Sequence, residues 1–153
     1  MNGHSLQSID AALDEIQNKI YEQTLEEYGP EVFKRWKEPA YMGKMDDPHA
    51  TFRVTGGCGD SVEIFLKFEN DKVQEALFFS DGCGPSMVCG SVACELIIGK
   101  NIDEAASLAG DDIVEVLEGG LPDDKIHCAF LAAQAVQEAI VSYQRLNPDR
   151  TDK

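Results

Sequence analysis

The stretch "FFSDGCGPSMVCGS" sets a thiol, Cys83, between two glycines where a strand-like run gives way to an apolar helical one. Cys58 sits in the comparable turn "GGCGD" with Asp60 just after it, and Cys128 follows His127 at the head of a long C-terminal helical pattern. Thiolate is a soft ligand and a nucleophile, and carboxylate and imidazole are the common harder donors beside it. Three thiolates with Asp60 or His127 suit a tetrahedral Zn²⁺ site, or give three or four ligands for an iron–sulfur cluster. The competing reading is packing. Cysteine is among the most buried residue types, glycine serves turns for conformational reasons alone, and the chain has no C-x-x-C pair.

The donors depend on the elements that carry them. "ATFRV" (50–54), "SVEIFLKF" (61–68) and "KVQEALFF" (72–79) read as strands. In the second, Val62, Ile64, Leu66 and Phe68 alternate with Glu63 and Lys67, the pattern of a sheet with one buried face. The links "TGGCGD" and "END" are short enough for antiparallel hairpins. A hairpin of the second and third strands puts the start of one beside the end of the other, so Cys58 and Cys83 emerge at the same end of the sheet. Cys83 and Cys128 each stand at a helix start, where unpaired N–H groups and the positive end of the helix dipole favour thiolate.

The remaining pattern is helical. Residues 5–28 carry Ile9, Leu13, Ile16 and Ile20 on one face, with Ser5 or Ser8 as a cap, and Pro30 opens the short helix "EVFKRWK". "EPAYMGKMDDPHA" reads as an irregular connection. After Cys83 come an apolar helix to Gly99, two short helices in "NIDEAASLA" and "GDDIVEVLEG", a loop "GLPDDK", and a terminal helix from Ile126 to the residues before Pro148. Strands first and helices after predict an α+β fold: a three-stranded antiparallel sheet with helices on one face, a long C-terminal helix and an extra N-terminal helix. Cys89 and Cys94 lie inside the apolar helix and read as packing residues. His4 and His49 read as solvated, and the paired aspartates as turn residues.

The 153 residues suit one domain. Acidic residues outnumber basic ones 28 to 13, for a net charge of -15, which repels nucleic acid and anionic membranes. No targeting segment or membrane span is legible, and five cysteines are an odd count for a disulfide framework. A cytoplasmic, reducing location is expected.

Three motifs in order resemble the NifU/IscU-type iron–sulfur cluster assembly scaffolds. "GGCGD" is similar to the family's C-G-D, "DGCGPSMVCGSVACELIIGKNIDEA" to its G-C-G helix and G-K-x-x-[DE]-E-A, and "LPDDKIHCAFLAAQAVQEAI" to L-P-x-x-K-[IL]-H-C-x-x-L-A. The likeness runs over about residues 24 to 145 and includes "RWKEPAYMGKMDDPHA".

It implies a scaffold rather than an enzyme: one domain over residues 1–153, with 1–23 a helical extension and 147–153 a flexible tail. Such a scaffold takes sulfur from a cysteine desulfurase and iron from an iron donor. It builds a transient cluster, typically [2Fe–2S], and hands it to apo-proteins. Carried over, Cys58, Cys83 and Cys128 are ligands, Asp60 governs cluster lability, His127 is an alternative ligand, and Cys128 is a candidate persulfide acceptor. Zn²⁺ fits the cluster-free form. Two aspartates in "LPDDK" replace the apolar pair of the family's L-P-P-V-K loop, so an Hsp70-type chaperone partner is not carried over. Two alternatives stand beside the scaffold reading: a persulfide relay, for which one nucleophilic thiol suffices, and a structural zinc module.

Overall fold

The computed structural model describes residues 2–57, 59–81, 84–118 and 120–147, with the backbone alone for 2–7. The expected tail at 147–153 lies outside the described residues beyond 147.

Three strands form the sheet in the order β1-β2-β3: β1 Ala50–Thr55, β2 Ser61–Glu69 and β3 Lys72–Ser80, both pairings antiparallel. The β2–β3 turn is Asn70–Asp71, with φ of 55° and 62°. Both residues are left-handed, as a two-residue hairpin with the twist of its strands requires, and Asn and Asp tolerate that region best after glycine. Val62, Ile64, Leu66 and Phe68 of β2 are buried on the inner face as the alternation predicts, but Phe65 on the opposite face is buried too, and Glu63 and Lys67 are half-buried. Val62 stands opposite Ser80 and Thr55 opposite Ser61, so the start of β2, the end of β1 and the end of β3 share one end of the sheet.

The helices are α1 Asn2–Tyr28, α2 Pro30–Lys37, α3 Gly84–Ile97, α4 Ile102–Ala106, α5 Gly110–Val116 and α6 Ile126–Leu146. A one-turn 3-10 helix, Asp123–Lys125, occupies the expected loop before α6. α6 lies over β1 and β2, and α3 over β3. Its buried Ala129, Ala132, Ala135 and Ala139 let α6 approach closely. Phe78 of β3 meets α3 at Gly90, where a Cβ would stand 2.5 Å from its ring. Cys89 and Cys94 are fully buried in this layer, and burial pushes the Cys94 thiol up to about 12.

α2 joins α3 through Arg35. Its guanidinium is 3.0 Å from a Glu95 carboxylate oxygen and 2.8 Å from one of Glu31. Burial opposes the Arg35 charge, but the two carboxylates outweigh it and raise its pKa. Pro30 opens α2 as expected.

Three features differ from the sequence expectation. α1 begins at Asn2, so Ser5 and Ser8 lie inside it rather than capping it. The irregular connection pairs with β3: the Phe78 N–H donates to the Tyr41 carbonyl at 2.9 Å, and the Gly43 N–H to the Phe78 carbonyl at 2.8 Å. His49, expected to be merely solvated, accepts the Phe68 N–H on Nδ1 at 2.9 Å and stacks on that ring.

Candidate functional site

The end of the sheet where β2 begins is held by short polar contacts. The Ser80 hydroxyl donates to the Ser61 carbonyl at 2.8 Å, and the Thr55 and Ser61 hydroxyls meet at 3.0 Å. The preceding turn closes through the Gly56 N–H on the Asp60 carbonyl at 2.8 Å and the Gly59 N–H on the Gly56 carbonyl at 3.1 Å. Gly59 has φ +91°, a conformation a side chain would strain. Gly56 rests on Leu131 of α6, with a Cβ position 3.4 Å from its methyl group. The turn that carries Asp60 is thereby seated on the helix that carries Cys128.

Cys128 is the third residue of α6 and fully buried, while His127 beside it is exposed. The first-turn N–H groups of a 21-residue helix have no partner within the helix and favour negative charge there. Donor atoms of Asp60, His127 and Cys128 all lie within 4.8 Å of one another. His127 Nε2 is 3.7 Å from Cys128 Sγ. A carboxylate, an imidazole and a thiol at this spacing can converge on one borderline or soft cation.

Ser86, in the first turn of α3, is the residue the sequence reading passed over. It is fully buried, and its hydroxyl is 3.2 Å from Asp60 Oδ2 and 3.5 Å from Cys128 Sγ. A hydroxyl has one proton to donate, so it serves either the carboxylate or the sulfur at a given moment. A hydroxyl residue immediately after G-C-G-P, at a helix start, was the available signal. Gly84 also gains a second explanation. A Cβ there would come 2.9 Å from Trp36 Cδ1, so α2 can cross the start of α3 only over a glycine. A cavity of about 320 Å³ opens beside this crossing, with Trp36, Gly84, Pro85 and Lys125 in its wall.

Of the expected site residues, Asp60, His127 and Cys128 are brought together. Cys58 and Cys83 lie outside the described residues. Cys89 and Cys94 are interior to α3, within the apolar core.

Comparison with known proteins points the same way. The family model for the NifU-like N-terminal domain matches residues 27–149. The iron-sulfur cluster assembly scaffold protein IscU 1 of Archaeoglobus fulgidus is 36% identical over 121 residues, 78% of this chain and 78% of its own. The iron-sulfur cluster assembly scaffold protein IscU of Escherichia coli K12 is 33% identical over 122 residues, 76% of this chain and 94% of its own. In fold, the N-terminal part of a nitrogen-fixing NifU-like protein from Brucella abortus superposes with a TM-score of 0.65 at 19% identity, over 79% of this chain and 96% of that one.

Proposed function

The chain belongs to the NifU-like N-terminal domain family, that of the IscU/NifU-type scaffolds, and from that premise we propose that it assembles an iron–sulfur cluster as cargo and transfers it to apo-proteins. The observation that carries this reading is the convergence of Asp60, His127 and Cys128 within 4.8 Å at the sheet end. Packing alone gives no reason for a buried thiol, a carboxylate and an imidazole to meet at a helix start.

In this reading Cys58, Cys83 and Cys128 hold the cluster, a [2Fe–2S] unit, with Asp60 or His127 as the fourth ligand. Cys128 is the proposed acceptor of persulfide sulfur from a cysteine desulfurase, and an iron donor supplies the metal. The net charge of -15 fits docking on a basic patch of such a desulfurase. Asp60 is the proposed release element. Carboxylate is a harder and weaker ligand than thiolate toward iron–sulfur units, so a site that includes it holds cargo less firmly. The aspartates of "LPDDK", exposed on the 3-10 turn, offer no apolar pair to a chaperone that reads L-P-P-V-K. Residues 1–23 are read as an extension of this single domain.

A second reading rests on the mixed donor set. Sulfur, nitrogen and oxygen at this spacing also suit Zn²⁺, which is proposed for the cluster-free form. Anaerobic reconstitution with iron and sulfide separates the two. Charge-transfer absorption and a Mössbauer signature of a paired-iron unit, transferable to an apo-ferredoxin, are expected. Tight zinc retention with no iron uptake would overturn the scaffold reading.

A further inference from the structure

α1 is the part of the chain that its own domain leaves uncovered. Among the described side chains of the helix, those of its last turns are the rooted ones. Tyr21 packs edge-on against Phe33 and Trp36 at 5.7 Å, and the Tyr28 carbonyl sits against Gly120 so closely that a Cβ there would overlap it. Every residue from 8 to 20 is exposed. Among them Ile9, Leu13, Ile16 and Ile20 are 54%, 58%, 55% and 41% exposed. The family match begins only at residue 27, so nearly all of α1 lies outside it.

The occupant of this stripe can be argued from its spacing and charge. Leu6, Ile9, Leu13, Ile16 and Ile20 recur at steps of three, four, three and four. That is the a/d register of a narrow coiled-coil seam, not the broader face a helix turns toward a sheet. The charges are distributed the wrong way round for a solitary helix. The first turn has no acidic residue and the last no basic one. Glu22, Glu26 and Glu27 crowd the end where the helix dipole is already negative. A second copy running antiparallel corrects this, because it brings its charge-free first turns and positive dipole end alongside those glutamates. A parallel copy would instead set glutamate against glutamate and both rooted domains at the same end. The flanking acids Asp10, Asp14 and Glu15 also disfavour an anionic lipid surface.

We propose that the exposed stripe of α1 is a self-pairing surface: two copies of the chain join through an antiparallel two-helix coiled coil centred between Leu13 and Ile16. Leu13 then meets Ile16 of the second copy, and Ile9 meets Ile20 of the second copy. The apolar stripe from Leu6 to Ile20 spans 15 residues, about 22 Å of helix, so the contact falls at the small, weak end of protein interfaces. A weak, concentration-dependent dimer is the expectation for so short a seam.

The test uses the full chain, metal-free and fully reduced, so that neither cargo nor a disulfide can bridge copies. Sedimentation equilibrium should give a mass approaching twice 16.8 kDa as concentration rises through ~200 μM. Leu13→Lys and Ile16→Lys should each raise the dissociation constant at least tenfold, with unchanged circular dichroism. Asn18→Lys, off the seam, should leave it within about twofold. A photo-crosslinking residue at Gln23 should label residues 2–10 of the second copy. A monomer at every concentration overturns the proposal, as does a dimer indifferent to the seam lysines. Labelling confined to residues 19–27 overturns the antiparallel arrangement. Flotation of the monomer with phosphatidylcholine vesicles would assign the stripe to lipid instead. None of these readouts depends on cluster assembly, so the pairing and the scaffold reading fail separately.

Discussion

Cys94 and Cys128 are both fully buried thiols on long-range packed helices. Cys94 lies deep in α3 among apolar side chains, and burial alone holds its proton on to about 12. Cys128 stands in the first turn of α6 with a carboxylate, an imidazole and a hydroxyl within reach. Burial therefore does not tell a packing cysteine from a candidate ligand. The position along the helix and the chemistry of the neighbours do.

The sharpest break of this contrast is metal content. Cys128→Ser should lose nearly all reconstituted iron, a drop of at least about tenfold, because the proposed sulfur ligand is replaced by a poor donor. Cys94→Ser should keep most of it while losing about 1–3 kcal/mol of stability for a hydroxyl buried among apolar groups. Iron analysis and urea unfolding of the two variants check this, and equal iron loss would dissolve the distinction.

The next largest effect is on pH dependence. The folded thiol of Cys94 keeps its proton to about 12, whereas the unfolded one gives it up near 9. Unfolding releases a proton between those values, so stability is constant below the lower one and falls as pH rises toward the higher. By about pH 10.5 the loss from this one group reaches ~2 kcal/mol. Wild type should lose that much more than Cys94→Ala between about pH 8 and 10.5 in chemical denaturation. Parallel curves for the two proteins would contradict the burial argument.

Asp60→Ala should lengthen the lifetime of the reconstituted cluster a few-fold and slow its transfer to an apo-ferredoxin. Visible absorption followed over time measures both. An unchanged lifetime with a lowered melting temperature would make Asp60 a turn residue only. The smallest effect is expected at Ser86. Ser86→Ala should cost about 1 kcal/mol as Asp60 and Cys128 lose their bridging hydroxyl. Iron content should stay within twofold, since Ser86 is placed to orient donors rather than to be one.

The contrast between the two thiols also marks what a sequence can disclose. The β2–β3 hairpin was legible because alternation from Val62 to Phe68 and an Asn-Asp turn are local signals. It gave the shared sheet end, and with it the expectation that donors meet there. α1 was legible as a helix, but its periodicity reported a face without saying whether that face would be covered. The contacts that arrange the site were not legible. Ser86 meets Asp60 and Cys128, Arg35 meets Glu95, and Trp36 crosses Gly84 across long stretches of chain. The strand-like pairing of Tyr41 and Gly43 with Phe78 runs through backbone groups, which every sequence carries alike.

The seating of the Gly56–Asp60 turn on Leu131 ties the hairpin end of the site to the last helix of the chain. The hairpin needs only neighbours along the chain and can close early, since short loops cost little entropy. Asp60, Ser86 and Cys128 belong to β2's approach, to α3 and to α6, and they can meet only after the last helix has settled on the sheet. A nascent chain with its strands paired but α6 unplaced therefore holds no complete donor set. If the site holds metal as proposed, its capture waits for a chain whose last helix has docked.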